Sequence, residues 1–114
     1  MPPDSRTYLY DIREACKKLT TFTKGSTLDD YLSDDLLRSA VERQFEIIGE
    51  ALSRLHRIDP GLATRIHEYR RIVAFRNILI HGYAIIQHDT VWGVVQSDLP
   101  KLSRQINELL RQSS

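Results

Sequence analysis

The chain is poor in cysteine and has no long hydrophobic segment. Its 114 residues contain one cysteine, Cys16, so no disulfide can form within the chain, which fits a reducing compartment. No apolar run approaches the roughly 18 residues of a membrane span. The first four residues, Met-Pro-Pro-Asp, lack the basic and apolar regions of a signal peptide. We therefore expect a cytoplasmic protein with no membrane partner.

Sequence patterns for metals and nucleotide cofactors are absent as well. His67-Glu68 begins an H-E-x-x-H pattern, but position 71 is arginine instead of the second histidine. The chain has no E-x-x-H pattern of a di-iron bundle and no glycine-rich phosphate loop. We expect no metal and no cofactor, and these missing spacings disfavour a metal-dependent bundle enzyme.

The net charge of +1 does not by itself favour any kind of partner, but the charges are unevenly distributed along the chain. Residues 29–50 hold seven acids against two bases, whereas residues 54–76 hold six arginines against Asp59 and Glu68. The second segment could attract the phosphates of a nucleic acid. It could equally form a solvated helical face that pairs with the acidic helix, and charge alone does not separate these alternatives.

Apolar residues recur with helical spacing along the whole chain, which is long enough for one domain over residues 1–114. The pattern predicts a helix up to about residue 23, a short helical turn that begins near Thr27, and a long helix over residues 34–57. A third helical pattern runs over residues 62–80 with an interruption near Glu68. The last pattern contains Pro100, which predicts either one kinked helix or a second helix capped at Ser97 or Asp98. The sequence thus predicts an all-α, up-and-down bundle of four to five helices.

One arginine lies within an apolar helical stripe. Arg76 has Ile72, Val73, Leu79 and Ile80 as its helical neighbours. Removing water from a guanidinium costs on the order of 5 kcal/mol unless it is paired, so arginine is rarely buried without a partner. We expect Arg76 to be functional, or structural and paired with an acid of the preceding helix; both roles can coexist. The candidate partners are Glu42, Glu46 and Glu50.

Arg76 opens the segment Arg-Asn-Ile-Leu-Ile-His over residues 76–81, which Gly82-Tyr83 follows. This R-x4-H pattern with its H-x-Y extension resembles the signature of HEPN-superfamily ribonucleases, in particular the HepT-like toxins. Other segments that resemble this family are Glu42-Arg43, residues 47–51, Val91-Trp92 and residues 99–102. The resemblance covers nearly the whole chain.

The resemblance implies a HEPN-like fold, an RNA substrate, and Arg76 and His81 as catalytic residues of a metal-independent endoribonuclease. The RNA 2′-hydroxyl attacks its own phosphate in such a reaction, which needs a base, an acid and a cation that stabilises the phosphorane. Histidine suits acid–base catalysis because its ordinary pKa is near neutrality. Arginine suits the phosphorane because its planar fork is always charged. Asn77, four residues before His81, could orient the imidazole or contact phosphate.

Arg76 and His81 are five residues apart, which places them about 140° apart around a helix. They would not converge on one small site from one straight helix. Two copies related by a two-fold axis could form a composite cleft, and HEPN ribonucleases are similar in placing their motif at a dimer interface. We therefore expect a symmetric dimer.

Tyr83 completes the H-x-Y pattern. The resemblance implies that an MntA-like nucleotidyltransferase antitoxin adds AMP to this tyrosine and thereby neutralises the toxin. The alternative function is a catalytically silent helical module that binds or scaffolds a nucleotidyltransferase. The intact Arg76, His81 and Tyr83 favour the enzyme, because a silent module would be free to lose them.

Overall fold

A computed structural model of the chain describes residues 2–81 and 87–112, and every regular element in these two ranges is an α-helix. The helices are α1 (Pro3–Thr23), α2 (Leu28–Ser33), α3 (Asp35–Ile58), α4 (Pro60–Ala63), α5 (Tyr69–His81) and α6 (His88–Gln112). The predicted all-α bundle is confirmed. The described ranges contain six helices instead of four to five, because α2 and α4 are short segments of six and four residues.

The core lies between the three longest helices, with α3 packed against both α1 and α5, and α6 packed against α1. Leucine, isoleucine and valine side chains fill it, and each fully buried one contributes about 1.5–3 kcal/mol. The most deeply buried of these aliphatic side chains are Leu9, Ile12, Leu19, Val41, Ile48, Leu52, Leu55, Val91, Leu102 and Ile106. Cys16 is buried among them, and burial raises the pKa of its thiol to about 12. This cysteine is therefore a packing residue.

Local hydrogen bonds define where the helices begin. At α2, the Thr27 hydroxyl accepts from the Asp30 amide at 3.2 Å, and the Asp30 carboxylate accepts from the Thr27 amide at 2.9 Å. At α3, the Asp34 carboxylate accepts from the Leu37 amide at 3.1 Å. The predicted helical turn at Thr27 is confirmed, and α3 lies within one residue of its expected bounds.

Helix α6 is continuous through Pro100, so the second helix that we considered, capped at Ser97 or Asp98, does not form. Proline inside a helix costs about 3 kcal/mol because it removes a hydrogen bond and clashes with the preceding turn. The buried stripe of α6 continues on both sides of Pro100, through Val95, Leu99 and Leu102, and holds the helix together. Asp98 contacts another segment instead of capping a helix.

The turn over residues 64–68 is attached to α6 by side chains. The Gln105 side chain accepts from the His67 amide at 2.6 Å and donates to the Arg65 carbonyl at 2.7 Å. Asp98 is 6% exposed, and its carboxylate lies 3.1 Å from His67 Nε2 and pairs with Arg71. Glu68 then takes a φ of +54°, and α5 begins at the next residue. These contacts place the start of α5, and they explain the predicted interruption near Glu68.

We predict that Asp98→Ala lowers the free energy of unfolding by about 2 kcal/mol, because it leaves His67 and Arg71 without their shared buried partner. Urea denaturation followed by circular dichroism measures the change. Glu14→Ala is the control, since Glu14 makes only exposed ion pairs on the surface of α1 and its loss should change stability by less than about 0.5 kcal/mol. Equal effects of the two substitutions would show that Asp98 does not stabilise the turn.

Candidate functional site

The site depends on a close approach of α5 to α3 at Gly49. A Cβ atom added at Gly49 would lie 2.2 Å from Cβ and 2.5 Å from Cγ of Arg76. Atoms so close to the backbone of α5 cannot move aside without moving the helix. The missing side chain at Gly49 therefore lets Arg76 lie flat across α3.

The guanidinium of Arg76 is held by two polar partners. Its Nη2 pairs with Oε2 of Glu50, and its Nη1 donates to Oδ1 of Asn77 at 2.9 Å. Oε1 of Glu50 accepts from Nε of Arg54 at 3.0 Å, so one carboxylate orients two arginines. The side chain of Arg76 is 23% exposed. Of the three acids predicted as possible partners of Arg76, Glu50 is the one that pairs with it.

The groove beside Arg76, which we call the Arg76 groove, has a volume of about 420 Å³ and lies between α1, α3 and α5. Its charged lining consists of Arg43, Arg54 and Arg76 together with Asp11, Glu46 and Glu50. Positive and negative side chains therefore balance within one copy of the chain. A phosphate in this groove would be bound through the geometry of Arg76 rather than through an excess of positive charge.

Arg76 retains hydrogen-bond donors for such a ligand. A guanidinium has five N–H donors, and the contacts to Glu50 and Asn77 use one on each Nη atom. The buried Nε has no hydrogen-bond partner among the described residues. One N–H on each Nη atom is left, and two such donors can bind two phosphate oxygens.

His81 is the last residue of α5 and is exposed. The helix turns by about 140° between Arg76 and His81, so Arg76 faces α3 while His81 faces solvent. Asn77, also exposed, lies between these two directions, and it is joined to Arg76 by its hydrogen bond. Gly82 and Tyr83 lie outside the described residues.

Two residues of the site received no role from the sequence, Gly49 and Arg54. A glycine inside a long helix costs about 1 kcal/mol relative to alanine, which is a signal that a neighbour approaches closely. Arg54 lies four residues after Glu50, a spacing at which opposite charges pair on a helix. Both signals are visible in the sequence, but neither indicates that Arg76 is the residue that contacts Gly49 and shares Glu50 with Arg54.

Comparison with known proteins identifies the family of the chain. The model of the family described as "Ribonuclease HepT-like" matches residues 12–109, a range that includes all of α5. The chain belongs to the ribonuclease HepT-like family. The resemblance inferred from the R-x4-H pattern is thereby confirmed.

Several HepT-like relatives match over almost their whole length. A protein of Methanocaldococcus jannaschii named "Putative RNase" is 35% identical over 90% of this chain and 94% of its own. "Probable ribonuclease HepT" of Thermococcus cleftensis is 32% identical over 96% of this chain and 98% of its own. A "Putative RNase" of Caldanaerobacter subterraneus is 30% identical over 93% and 94%. No solved structure matches.

Two features of residues 2–81 and 87–112 concern metal binding and membrane spanning. In these ranges, no three histidine, cysteine, aspartate or glutamate side chains are grouped so that they could hold a metal ion. None of the helices there combines the length and the hydropathy needed to cross a membrane.

We predict that Gly49→Ala lowers the free energy of unfolding by about 1–2 kcal/mol. The substitution gains up to about 1 kcal/mol of helix propensity, but the overlap with Arg76 costs more, because overpacking a core contact costs about 1–3 kcal/mol. Thermal and urea denaturation measure the net change.

Gly93→Ala is the matched control. Gly93 also lies within a helix, α6, and a Cβ there meets no atom within 4 Å. Its substitution should raise stability by about 0.5–1 kcal/mol. If Gly49→Ala stabilises the protein as Gly93→Ala does, then Arg76 of α5 does not lie in close contact with Gly49 of α3.

Proposed function

We propose that the chain is a metal-independent endoribonuclease that uses Arg76 and His81. Membership of the HepT-like family and relatives named as ribonucleases support an RNA-cleaving activity. The observation that carries the assignment of residues is the orientation of Arg76. Glu50 and Asn77 hold its guanidinium beside a groove, on the same helix that ends at His81.

In the proposed reaction, the RNA 2′-hydroxyl attacks the adjacent phosphorus and forms a new O2′–P bond, while the P–O5′ bond breaks. A base takes the proton of the 2′-hydroxyl, and an acid gives a proton to the leaving 5′-oxygen. The products are a 2′,3′-cyclic phosphate and a 5′-hydroxyl. Histidine can perform both proton transfers, and the Arg76 fork can stabilise the charge that develops on the phosphorane.

A symmetric dimer would complete this site. One copy of the chain presents Arg76 towards α3 and His81 towards solvent, so a second copy is needed to bring both residues to one phosphate. Two apolar side chains of α5 support a contact here, because Ile78 and Ile80 are 45% and 43% exposed within the motif. Each site would then combine Arg76 of one copy with His81 of the other.

We predict that His81→Ala and Arg76→Ala each reduce RNA cleavage at least about 100-fold, the usual effect of removing an acid–base group or a transition-state cation. His81→Ala should leave the stability unchanged, because His81 is exposed at a helix end. Arg76→Lys is the matched variant for Arg76, since it keeps the charge and the aliphatic contact with Gly49 but loses the fork. Cleavage of labelled RNA in EDTA, with analysis of the product ends, measures activity. Full activity of folded His81→Ala would refute the assignment.

The same variants test the dimer. If each site takes Arg76 from one copy and His81 from the other, mixing Arg76→Ala with His81→Ala restores one complete site in each mixed dimer. Since half of randomly mixed dimers are mixed, about a quarter of the wild-type activity should return. An inactive mixture, with mixed dimers shown by mass spectrometry, would contradict the composite site. A strictly monomeric protein that cuts RNA would contradict it as well.

We further propose that the chain is the toxin of a toxin–antitoxin pair, and that an MntA-like nucleotidyltransferase silences it by adding AMP to Tyr83. This proposal rests on the intact His81-Gly82-Tyr83 pattern. AMP next to His81 brings a negative phosphate and a bulky adenosine, which could occupy the place of the RNA phosphate and pair with Arg76.

We predict that incubation with the cognate nucleotidyltransferase and ATP adds one or more AMP groups to Tyr83 and abolishes RNA cleavage. Tyr83→Phe should keep its activity and escape modification, because it retains the ring but lacks the hydroxyl. Peptide mass spectrometry locates the adduct. An adduct on Tyr8 or Tyr31 instead, or no adduct, would show that the family's mode of control does not apply.

A further inference from the structure

A second groove lies between α3 and α5, next to the start of α5. It has a volume of about 360 Å³, and we call it the His56 groove. Its polar lining comes from Ser53, His56 and Arg57 of α3 and from Tyr69, Arg70 and Asn77 of α5. None of the described residues that line it is acidic, in contrast to the balanced charges of the Arg76 groove.

The arginine-rich segment divides into two groups in the structure. Arg54 and Arg76 pair with Glu50, and Arg71 pairs with Asp98. The other three, which make no ion pair within the described part of the chain, are Arg57, Arg65 and Arg70. Arg57 and Arg70 both line the His56 groove and are exposed. The positive charge that the acidic helix leaves uncompensated is thus concentrated in this groove.

An aromatic stack lies in the same groove. The rings of His56 and Tyr69 are 5.5 Å apart between centroids with an angle of 16° between their planes. The guanidinium of Arg70 lies 5.8 Å from the centroid of Tyr69, within the range of a cation–π contact. His56 is the exposed member of the stack. Stacked rings beside unpaired arginines are the combination that binds single-stranded nucleic acids, whose bases stack while their phosphates contact cations.

Asn77 connects the His56 groove to the proposed catalytic arginine. It lines the groove, and its Oδ1 accepts the hydrogen bond from Arg76. Arg70 lies two helical turns before Asn77, a distance of about 10 Å along α5. A strand stacked as in a duplex, with a rise of about 3.4 Å per nucleotide, covers this distance in roughly three nucleotides, and a more extended single strand covers it in fewer.

We propose that the His56 groove binds one unpaired nucleotide of a single-stranded RNA, close to but not at the bond that is cut. The base stacks on the His56–Tyr69 pair, and Arg57 and Arg70 contact the adjoining phosphates. This inference rests on the proposed ribonuclease function for its substrate. It requires a base free of pairing, since a base within a duplex cannot reach a stacking side chain.

Binding of a labelled single-stranded RNA to His81→Ala protein, which should not cut it, tests the proposal directly. Added to this background, His56→Ala should weaken binding about tenfold, the usual effect of removing a stacking ring. Arg57→Ala and Arg70→Ala should weaken binding and also make the negative slope of log affinity against log salt shallower by about 0.7 each, one phosphate contact apiece. His56→Ala should leave that slope unchanged.

Arg65→Ala is the matched control. Arg65 is an exposed arginine of the same segment that makes no ion pair with the described residues and does not line the groove, and its carbonyl contact with Gln105 survives the substitution. It removes the same net charge, so equal losses for Arg65→Ala, Arg57→Ala and Arg70→Ala would overturn the proposal. Tight binding of a fully paired RNA, undiminished by His56→Ala, would overturn it too.

Cleavage assays separate this inference from the proposed function. With His81 intact, His56→Ala and Arg57→Ala should raise KM for a long single-stranded RNA about tenfold and leave kcat/KM for an RNA dinucleotide unchanged, because a dinucleotide does not reach the groove. If the wild-type protein cuts neither RNA, the ribonuclease proposal fails, while the binding comparison still decides the role of the groove. If it cuts both and the variants behave like Arg65→Ala, the groove proposal fails by itself.

Discussion

The contact between Gly49 and Arg76 is the constraint on which the site depends. Without a Cβ at Gly49, the aliphatic part of Arg76 lies against α3, and its guanidinium reaches Glu50, the next residue of that helix. Asn77 then becomes the second partner of the same guanidinium. Because α5 is a regular helix, the directions of Asn77 and His81 follow once Arg76 is placed.

The start of α5 is positioned by a separate group of polar contacts. Asp98 and Gln105 of α6 hold the turn over residues 64–68, so that α5 is attached to α6 at its beginning and to α3 near its middle. The helix itself contributes little to the core, since Ile72 and Leu79 are its buried residues. Because α3 and α6 contact only part of the surface of α5, one face of the helix stays exposed. This face carries Arg70, Asn77 and His81.

Ion pairing determines which arginines of the arginine-rich segment are oriented by an acid and which remain available to attract a ligand. Within the arginine-rich segment, pairing with the acidic helix applies to some arginines and not to others. Glu50 pairs with Arg54 and Arg76 and orients the latter, whereas Arg57 and Arg70 make no ion pair with the described residues and line a groove without acids. In the proposed function, Arg76 is therefore held in a fixed orientation beside the Arg76 groove, whereas Arg57 and Arg70 attract the RNA.

The sequence by itself determined the features that depend on near neighbours along the chain. Helical spacing, the capping pair Thr27–Asp30 and the interruption near Glu68 were predicted because each arises within a few residues. The R-x4-H pattern with its H-x-Y extension, together with the other resembling segments, indicated the HepT-like family. The sequence left open which acid pairs with Arg76 and whether Pro100 divides the last helix. It also assigned no role to Gly49 or His67.

Tertiary structure alone decided these points, because they depend on residues far apart in the chain. Arg76 and Glu50 are 26 positions apart, and His67 and Asp98 are 31 apart. Whether such residues meet depends on how the helices pack, since the spacing along one helix carries no information about the position of another.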